Sequence, residues 1–150
     1  MATKLLSVVA LCSALFAVAA AAAADSPSFV VEGRVFCDTC RAGFETTATE
    51  YLAGAKLVHT VEGTTDATGT YHLKVADDHE DELCEVVLVE SPHADCSEIK
   101  TGRDRARILL THNSGLATNV RLANSLGFLK EEPLPSCGVL LAQYQLGDDE

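Results

Sequence analysis

Tryptophan is absent from this 150-residue chain, and aromatic residues make up only 5% of it. Few flat rings are therefore available to stack against sugars. Basic residues are also scarce, with 11 Lys and Arg against 22 Asp and Glu. Binding to nucleic acids or anionic membranes depends on basic side chains, so the composition argues against both partners. Such acidity fits a soluble extracellular protein or a ligand for basic surfaces.

Recognisable catalytic motifs are missing as well. No serine lies in a Gly-x-Ser-x-Gly elbow, and no Ser/His/Asp set has a spacing typical of a hydrolase. We therefore predict no catalytic residues, no cofactor and no metal site, and we expect that the protein is not an enzyme.

The longest apolar run lies at the N-terminus. One basic residue, Lys4, precedes a largely apolar run of 20 residues that ends in a series of alanines at Ala24. This order is typical of a secretory signal peptide, and no basic stop-transfer cluster follows it. We predict a signal peptide at 1–24 and one mature domain at 25–150 that is secreted to the extracellular space or cell wall, with no membrane insertion after cleavage. The mature chain ends in a short acidic tail, "GDDE".

The mature chain has the periodicity of β-strands. In "TYHLKV" (70–75) apolar and polar residues alternate, which predicts a half-buried strand. The final "CGVLLAQYQL" fits either a strand or a short helix. All four prolines lie outside the strand candidates, so the pattern predicts an all-β fold, a small antiparallel sandwich or barrel. The other candidates, rich in branched residues, are 29–36, 55–61, 83–90, 106–111, 119–122 and 126–130.

Five cysteines remain once the signal peptide has removed Cys12. An odd number in an oxidising compartment leaves one thiol free or paired between chains. Cys37 and Cys40, in "CDTC", could be a redox pair, half of a zinc site, or anchors of two separate disulfides. A redox pair would need an opening helix, and a zinc site a second close ligand pair, and the sequence offers neither clearly. We therefore favour disulfide anchors whose partners lie elsewhere.

Two charged clusters need interpretation. The acidic run "DDHEDE" (77–82) lacks the glycine and the spacing of a calcium loop, so it is interpreted as a solvated turn. The run "KTGRDRAR" holds the only basic cluster, which could receive an anionic polysaccharide or pair internally, for example with Asp104. Its basic residues are Lys100, Arg103, Arg105 and Arg107.

The stretch "EGRVFCDTCR" resembles the signature of the pollen protein family named after the olive allergen Ole e I. The matching residues are Glu32, Gly33, Val35, Phe36, Cys37, Asp38, Cys40 and Arg41. Further matches in the family's order extend over essentially the whole mature chain, and grass members are the most similar. Such a protein is expected to be a secreted, disulfide-stapled β-barrel or sandwich of about seven antiparallel strands.

The resemblance also implies the cysteine pairing, Cys37 with Cys96 and Cys40 with Cys137. Loops of roughly 60 and 100 residues would be closed, each worth about 4 kcal/mol. The family's third bridge would join Cys84 to a cysteine that is missing here, where the segment between Gly54 and Thr65 is shortened. We therefore expect Cys84 to be a buried, unreactive free thiol.

The family resemblance implies a binding protein of pollen. Members are known as allergens that bind IgE, and their own role is described as extracellular, in pollen hydration, germination or tube growth. We expect a receptor-like protein partner outside the cell, and IgE in allergic hosts. The alternative is a binding module for acidic wall polysaccharide that uses the basic cluster.

Overall fold

The computed structural model of the protein describes residues 28–58 and 61–144. The predicted signal peptide and the acidic tail lie outside the described residues. No helix within these two ranges is long and apolar enough to cross a membrane. The described part contains nine strands and one short α-helix: β1 Ser28–Asp38, β2 Glu50–Tyr51, β3 Lys56–Val58, β4 Glu62–Thr64, β5 Thr70–Ala76, β6 Cys84–Glu90, β7 Arg105–Ile108, β8 Val120–Leu122, β9 Leu126–Leu129 and α1 Cys137–Ala142.

Strand β1 is the central strand of the first sheet and pairs with each of its other strands. Its 11 residues alternate between buried and more exposed as far as Val35, and its last four residues are all buried. Along one edge it pairs with β5 and then β2, both antiparallel. Along the other edge it pairs with β8 and then β9, both parallel. Because β1 has neighbours on both edges for most of its length, its hydrogen-bonding capacity is used within the sheet.

The second sheet has the order β4-β3-β6-β7 and is antiparallel throughout. Alternate residues of each long strand face the first sheet, which gives a core between two layers. Its buried side chains include Phe29, Tyr71, Val86, Leu88 and Phe128. On one side the layers close where Gly63 of β4 lies against Leu73 of β5, since a Cβ at position 63 would clash with that leucine.

The prediction of a small all-β fold is confirmed, with differences in detail. The two sheets form a sandwich and not a closed barrel, because β7 and β8 are not paired with each other. The fold is not wholly antiparallel: after β7 the chain crosses to the first sheet and runs beside β1 in the same direction. The extra strands β2 and β4 are two or three residues long, too short to show a periodicity.

The shortened segment still forms a hairpin. Within the described residues of the predicted strand at 55–61, β3 covers Lys56–Val58 and pairs antiparallel with β4. Leu57 of β3 is buried, and β3 also pairs with β6, with one irregularity of register next to Lys56. The ambiguous C-terminal segment is resolved as α1 over residues 137–142.

Candidate functional site

The two cysteines of "CDTC" are not bonded to each other. Cys37 lies near the end of β1 and bonds to Cys96, with a Cα–Cα distance of 6.0 Å. Cys40 bonds to Cys137 at the start of α1, with a Cα–Cα distance of 5.3 Å. These are the pairs that the family resemblance implies. Because both sulfurs are joined to distant segments, the pair holds no dithiol that could cycle between redox states.

The polar residues beside these cysteines hold the following turn in shape. The buried carboxylate of Asp38 accepts hydrogen bonds from the backbone N–H groups of Ala42 (3.0 Å) and Gly43 (2.6 Å). Arg41 donates from Nη1 and Nη2 to the two carboxylate oxygens of Glu98, at 2.7 and 2.9 Å. Hydrogen bonding to Arg41 lowers the pKa of Glu98. These groups are used in structural contacts, as the bidentate geometry of arginine favours.

The apolar residues of the signature are both buried, on opposite faces of β1. Val35 is fully buried and Phe36 nearly so. The ring of Phe36 lies against Gly127 of β9, where a Cβ would come within 2.7 Å of Cζ. Glu32 is on the outer face, with Oε2 3.4 Å from His72 Nε2. The residues of the signature "EGRVFCDTCR" therefore have structural roles: they pack β1 into the fold and bond it to distant segments through disulfides.

The basic cluster of Lys100, Arg103, Arg105 and Arg107 is only partly brought together by the structure. Arg103 and Arg105 both line a cavity of about 200 Å³ beside Phe36 and Leu129. Lys100 is exposed and does not line that cavity, and Arg107 belongs to a groove on another part of the surface.

Carboxylates neutralise part of this cluster. Glu85 lies between Arg105 and Arg107, at 3.2 Å from Arg105 Nη1 and 3.1 Å from Arg107 Nε. Asp104 lies 3.0 Å from Arg105 Nη2, and hydrogen bonding to that arginine lowers the pKa of Asp104. Internal pairing therefore reduces the positive potential that the sequence indicates. Arg103 has no ion pair among the described residues.

An exposed apolar groove, which the sequence did not predict, lies between β7 and β8. Its volume is about 580 Å³, within the usual range for small-molecule sites. Apolar side chains along it are exposed to an unusual degree: Leu109 56%, Leu116 58%, Val120 39% and Leu122 79%. One signal was present in the sequence: three successive apolar residues at 108–110 cannot all face the core of a sandwich.

The groove also separates two free strand edges. Strand β7 is the last strand of the second sheet, and β8 pairs only with β1 within the described ranges. A free edge carries backbone N–H and C=O groups that another strand can bind. We define this surface, with Leu109, Leu116, Val120 and Leu122, as the edge groove.

The acidic turn between β5 and β6 is anchored to the neighbouring loop. Asp78 Oδ2 accepts a hydrogen bond from the backbone N–H of His112 at 3.1 Å, and this contact lowers the pKa of Asp78. Glu80 accepts from Asn113 Nδ2 at 2.9 Å. Cys84 follows the turn as a buried free thiol whose pKa is raised by burial.

Comparisons with known proteins agree on one family. Residues 27–145 match the family model described as "Pollen protein Ole e 1 like". The chain is 48% identical over 151 aligned positions to "Pollen-specific protein C13" of Zea mays, with 91% of this chain and 89% of the relative covered. It is 44% identical over 135 positions to "Pollen allergen Phl p 11" of Phleum pratense, with 81% and 94% covered.

A solved structure supports the same assignment. The crystal structure of the major plantain pollen allergen Pla l 1 superposes with a TM-score of 0.65 at 30% identity, covering 73% of this chain and 99% of that one. The family model spans most of the chain, and the signature has the structural role described above for β1. The protein therefore belongs to the Ole e 1-like family of pollen proteins.

Proposed function

We propose that this is a secreted, non-enzymatic pollen protein that acts by binding a protein partner outside the cell, in pollen hydration, germination or tube growth. Its relatives include a pollen-specific protein and pollen allergens. Two disulfides and an acidic surface suit an extracellular compartment. The residues of the family signature, which are the most distinctive in the sequence, pack the core and form the disulfides. We therefore expect the function to depend on other residues at the surface.

The main observation that supports a protein partner is the edge groove. Leu116 and Leu122 expose more than half of their surface, although isolated apolar side chains would be better buried. Grouped apolar surface of this kind is typical of protein interaction sites. An extended segment of a partner could add to the free edge of β7 or β8 and place alternate side chains on the leucines.

The test is binding to immobilised ectodomains of pollen-tube surface receptors. We expect saturable binding to at least one ectodomain, weakened about tenfold or more by Leu122→Glu or Leu116→Glu, as for residues at the centre of an interface. Leu83→Glu is the matched control, since Leu83 is 88% exposed but lies outside the groove. Thermal melting verifies that each variant is folded. Saturable binding of equal affinity in all three variants would show that the interface is not at the edge groove.

The alternative partner is acidic wall polysaccharide, bound at the cavity that Arg103 and Arg105 line. This mode depends on charge, so binding of pectin fragments would fall steeply between about 50 and 200 mM salt. Arg103→Ala combined with Arg105→Ala would abolish it, whereas these changes would leave receptor binding through the edge groove unchanged, since neither residue lines that groove. Pectin binding with that salt dependence, without receptor binding, would favour the polysaccharide.

Recognition by IgE is proposed as a property of the folded surface. Immunoglobulin E from sera that react with Phl p 11 is expected to bind the native protein and to lose part of that binding after reduction, because the disulfides hold surface loops in place. Because we propose that the protein is not an enzyme, we expect the purified protein to show no activity in hydrolase and thiol-oxidoreductase assays.

A further inference from the structure

Three different metal-binding side chains meet below the acidic turn between β5 and β6. His79, Glu82 and Cys84 each offer one ligand atom, and the three atoms all lie within 4.8 Å of one another. They are an imidazole nitrogen, a carboxylate oxygen and a thiol sulfur. This combination is distinct from the all-oxygen sets that bind calcium or magnesium.

The histidine ring is already oriented for coordination. Its Nε2 lies 2.8 Å from the backbone carbonyl oxygen of Ala76, so that a proton on Nε2 donates to this oxygen. Nδ1 lies 2.9 Å from Glu82 Oε2, and because a carboxylate oxygen only accepts, this hydrogen bond has a proton on Nδ1 that a metal ion bound between the two groups would displace. Metal-binding histidines usually donate their second ring N–H to a carbonyl or carboxylate in this way.

The backbone holds the turn in place around the ring. The backbone N–H of His79 donates to the carbonyl oxygen of Leu110 at 2.8 Å, and that of Glu82 donates to the carbonyl oxygen of His79 at 3.0 Å. These bonds hold His79 beside the segment that follows β7 and hold Glu82 next to His79, two residues before β6 begins at Cys84. Glu82 is 67% exposed and has a long side chain, so it can adjust to an incoming ion.

Cys84 supplies the third atom because it has no disulfide partner. Its residue is 4% exposed, below the turn, and the other four cysteines of the described chain are bonded in pairs. Burial and the neighbouring Glu82 carboxylate raise the pKa of the thiol and so favour the form that carries a proton. Metal binding would displace this proton to solvent and form a thiolate–metal bond.

We propose that His79 Nδ1, the Glu82 carboxylate and Cys84 Sγ bind one zinc ion, with water as the fourth ligand. Zinc–ligand distances of about 2.0–2.3 Å in a tetrahedral site place the ligand atoms roughly 3.5 Å apart, so the set needs a modest contraction. Neighbouring carboxylates, including Asp77 and Asp81, favour entry of a cation. The site is independent of the partner-binding function proposed above.

The spacing of these three residues is not a recognised zinc motif, and the sequence predicted no metal site. Positions 79, 82 and 84 come together because the turn folds back over the first residue of β6. The site depends on Cys84 being free of a disulfide, as it is in the described part of this chain.

The experiment is a titration of the secreted protein, with disulfides intact and without reductant. Isothermal titration with Zn²⁺ is expected to give one ion per chain, and Co²⁺ a near-ultraviolet sulfur-to-cobalt charge-transfer band. Cys84→Ala should abolish this band. His79→Gln and Glu82→Gln should each weaken Zn²⁺ binding at least about tenfold, since even outer-shell changes cost about 10- to 100-fold. Zn²⁺ should also raise the melting temperature.

Glu80→Gln is the matched control, because Glu80 lies on the same turn and contacts Asn113 instead. This variant should bind Zn²⁺ as the original protein does. Binding that is equally weakened in Glu80→Gln and Glu82→Gln, or a Co²⁺ spectrum without the sulfur band, would identify a non-specific acidic surface and overturn the proposal. Since Glu82 is exposed, its variant tests the site even if Cys84→Ala folds poorly.

Discussion

The ring of Tyr71 lies directly against Gly33, its register partner near one end of the pairing between β1 and β5. A Cβ at position 33 would come within 2.6 Å of Tyr71 Cζ, well inside contact distance. Tyr71 is fully buried, so its ring cannot turn away without disturbing the core. The glycine of the family signature is therefore required by the packing of one aromatic ring.

Replacing this glycine tests the contact. Gly33→Ala should lower the free energy of unfolding by about 1–3 kcal/mol, as overpacking of a tight core does. Denaturation in urea at neutral pH measures the loss. Gly138→Ala is the control, because no atom lies within 4 Å of the added Cβ and the residue is in α1, so stability should be unchanged or slightly higher. Equal stability of Gly33→Ala and the original protein would contradict the observed packing.

Removing the hydroxyl of Tyr71 is expected to increase stability, in contrast to the replacement of Gly33. Its oxygen is buried without a hydrogen-bond partner among the described residues, and burial raises its pKa to about 12. Tyr71→Phe should therefore raise the free energy of unfolding by about 1 kcal/mol, because it removes an unsatisfied polar group and keeps the ring. Tyr51→Phe serves as the control, since its hydroxyl is exposed and donates to Glu45. A clear loss of stability in Tyr71→Phe would mean that an ordered water satisfies the hydroxyl.

The cysteine chemistry makes a prediction about reactivity. The native protein without metal should react slowly with a bulky thiol reagent such as DTNB, and should release one equivalent of thiol after unfolding in guanidinium, because Cys84 is buried and its pKa is raised. A non-reducing peptide map should then pair Cys37 with Cys96 and Cys40 with Cys137. A peptide that joins Cys37 to Cys40 would contradict the structure and reopen redox chemistry at "CDTC".

Acid sensitivity follows from Asp66 in the turn before β5. Oδ1 of Asp66 accepts from Thr68 N at 2.8 Å and Thr70 N at 3.1 Å, and its pKa is lowered by hydrogen bonding, first from the Thr68 side chain. A lowered folded-state pKa stabilises the protein above the unfolded value of 3.8, and this contribution disappears as pH falls through the folded value.

Asp66→Asn removes this dependence. The stability difference between the original protein and Asp66→Asn should be largest at pH 5 to 7 and should shrink as pH falls below about 4. Urea denaturation at a series of pH values measures it. Asp81→Asn, on the exposed acidic turn, is a comparison of equal charge change. A difference for Asp66→Asn that is constant with pH would show that the carboxylate does not titrate with folding.

Several features could be predicted from residues alone. The alternation of β5 places Tyr71, Leu73 and Val75 in the core, as found. The acidic turn at 77–82 lies between two strands, also as expected. These predictions succeed because one buried face forces a period of two on a strand.

Other features have no local signal. Strands β2 and β4 are too short to show a period, and the parallel direction of β8 and β9 depends on the path of the chain after β7. The neutralisation of Arg105 and Arg107 by Glu85 depends on the pairing of β6 with β7, which brings together residues 20 and 22 positions apart.

The sequence by itself determined the β class, the inward face of the long strands and, through its signature, the family and the cysteine partners, because these are encoded in residue order. Only the tertiary structure decided the position of the edge groove, between two strands that are not paired with each other, and the placement of the Cys84 thiol within 4.8 Å of the ligand atoms of His79 and Glu82. The groove depends on how the two sheets pack, and the three-residue cluster on how one turn folds back over β6, and local periodicity carries no information about either.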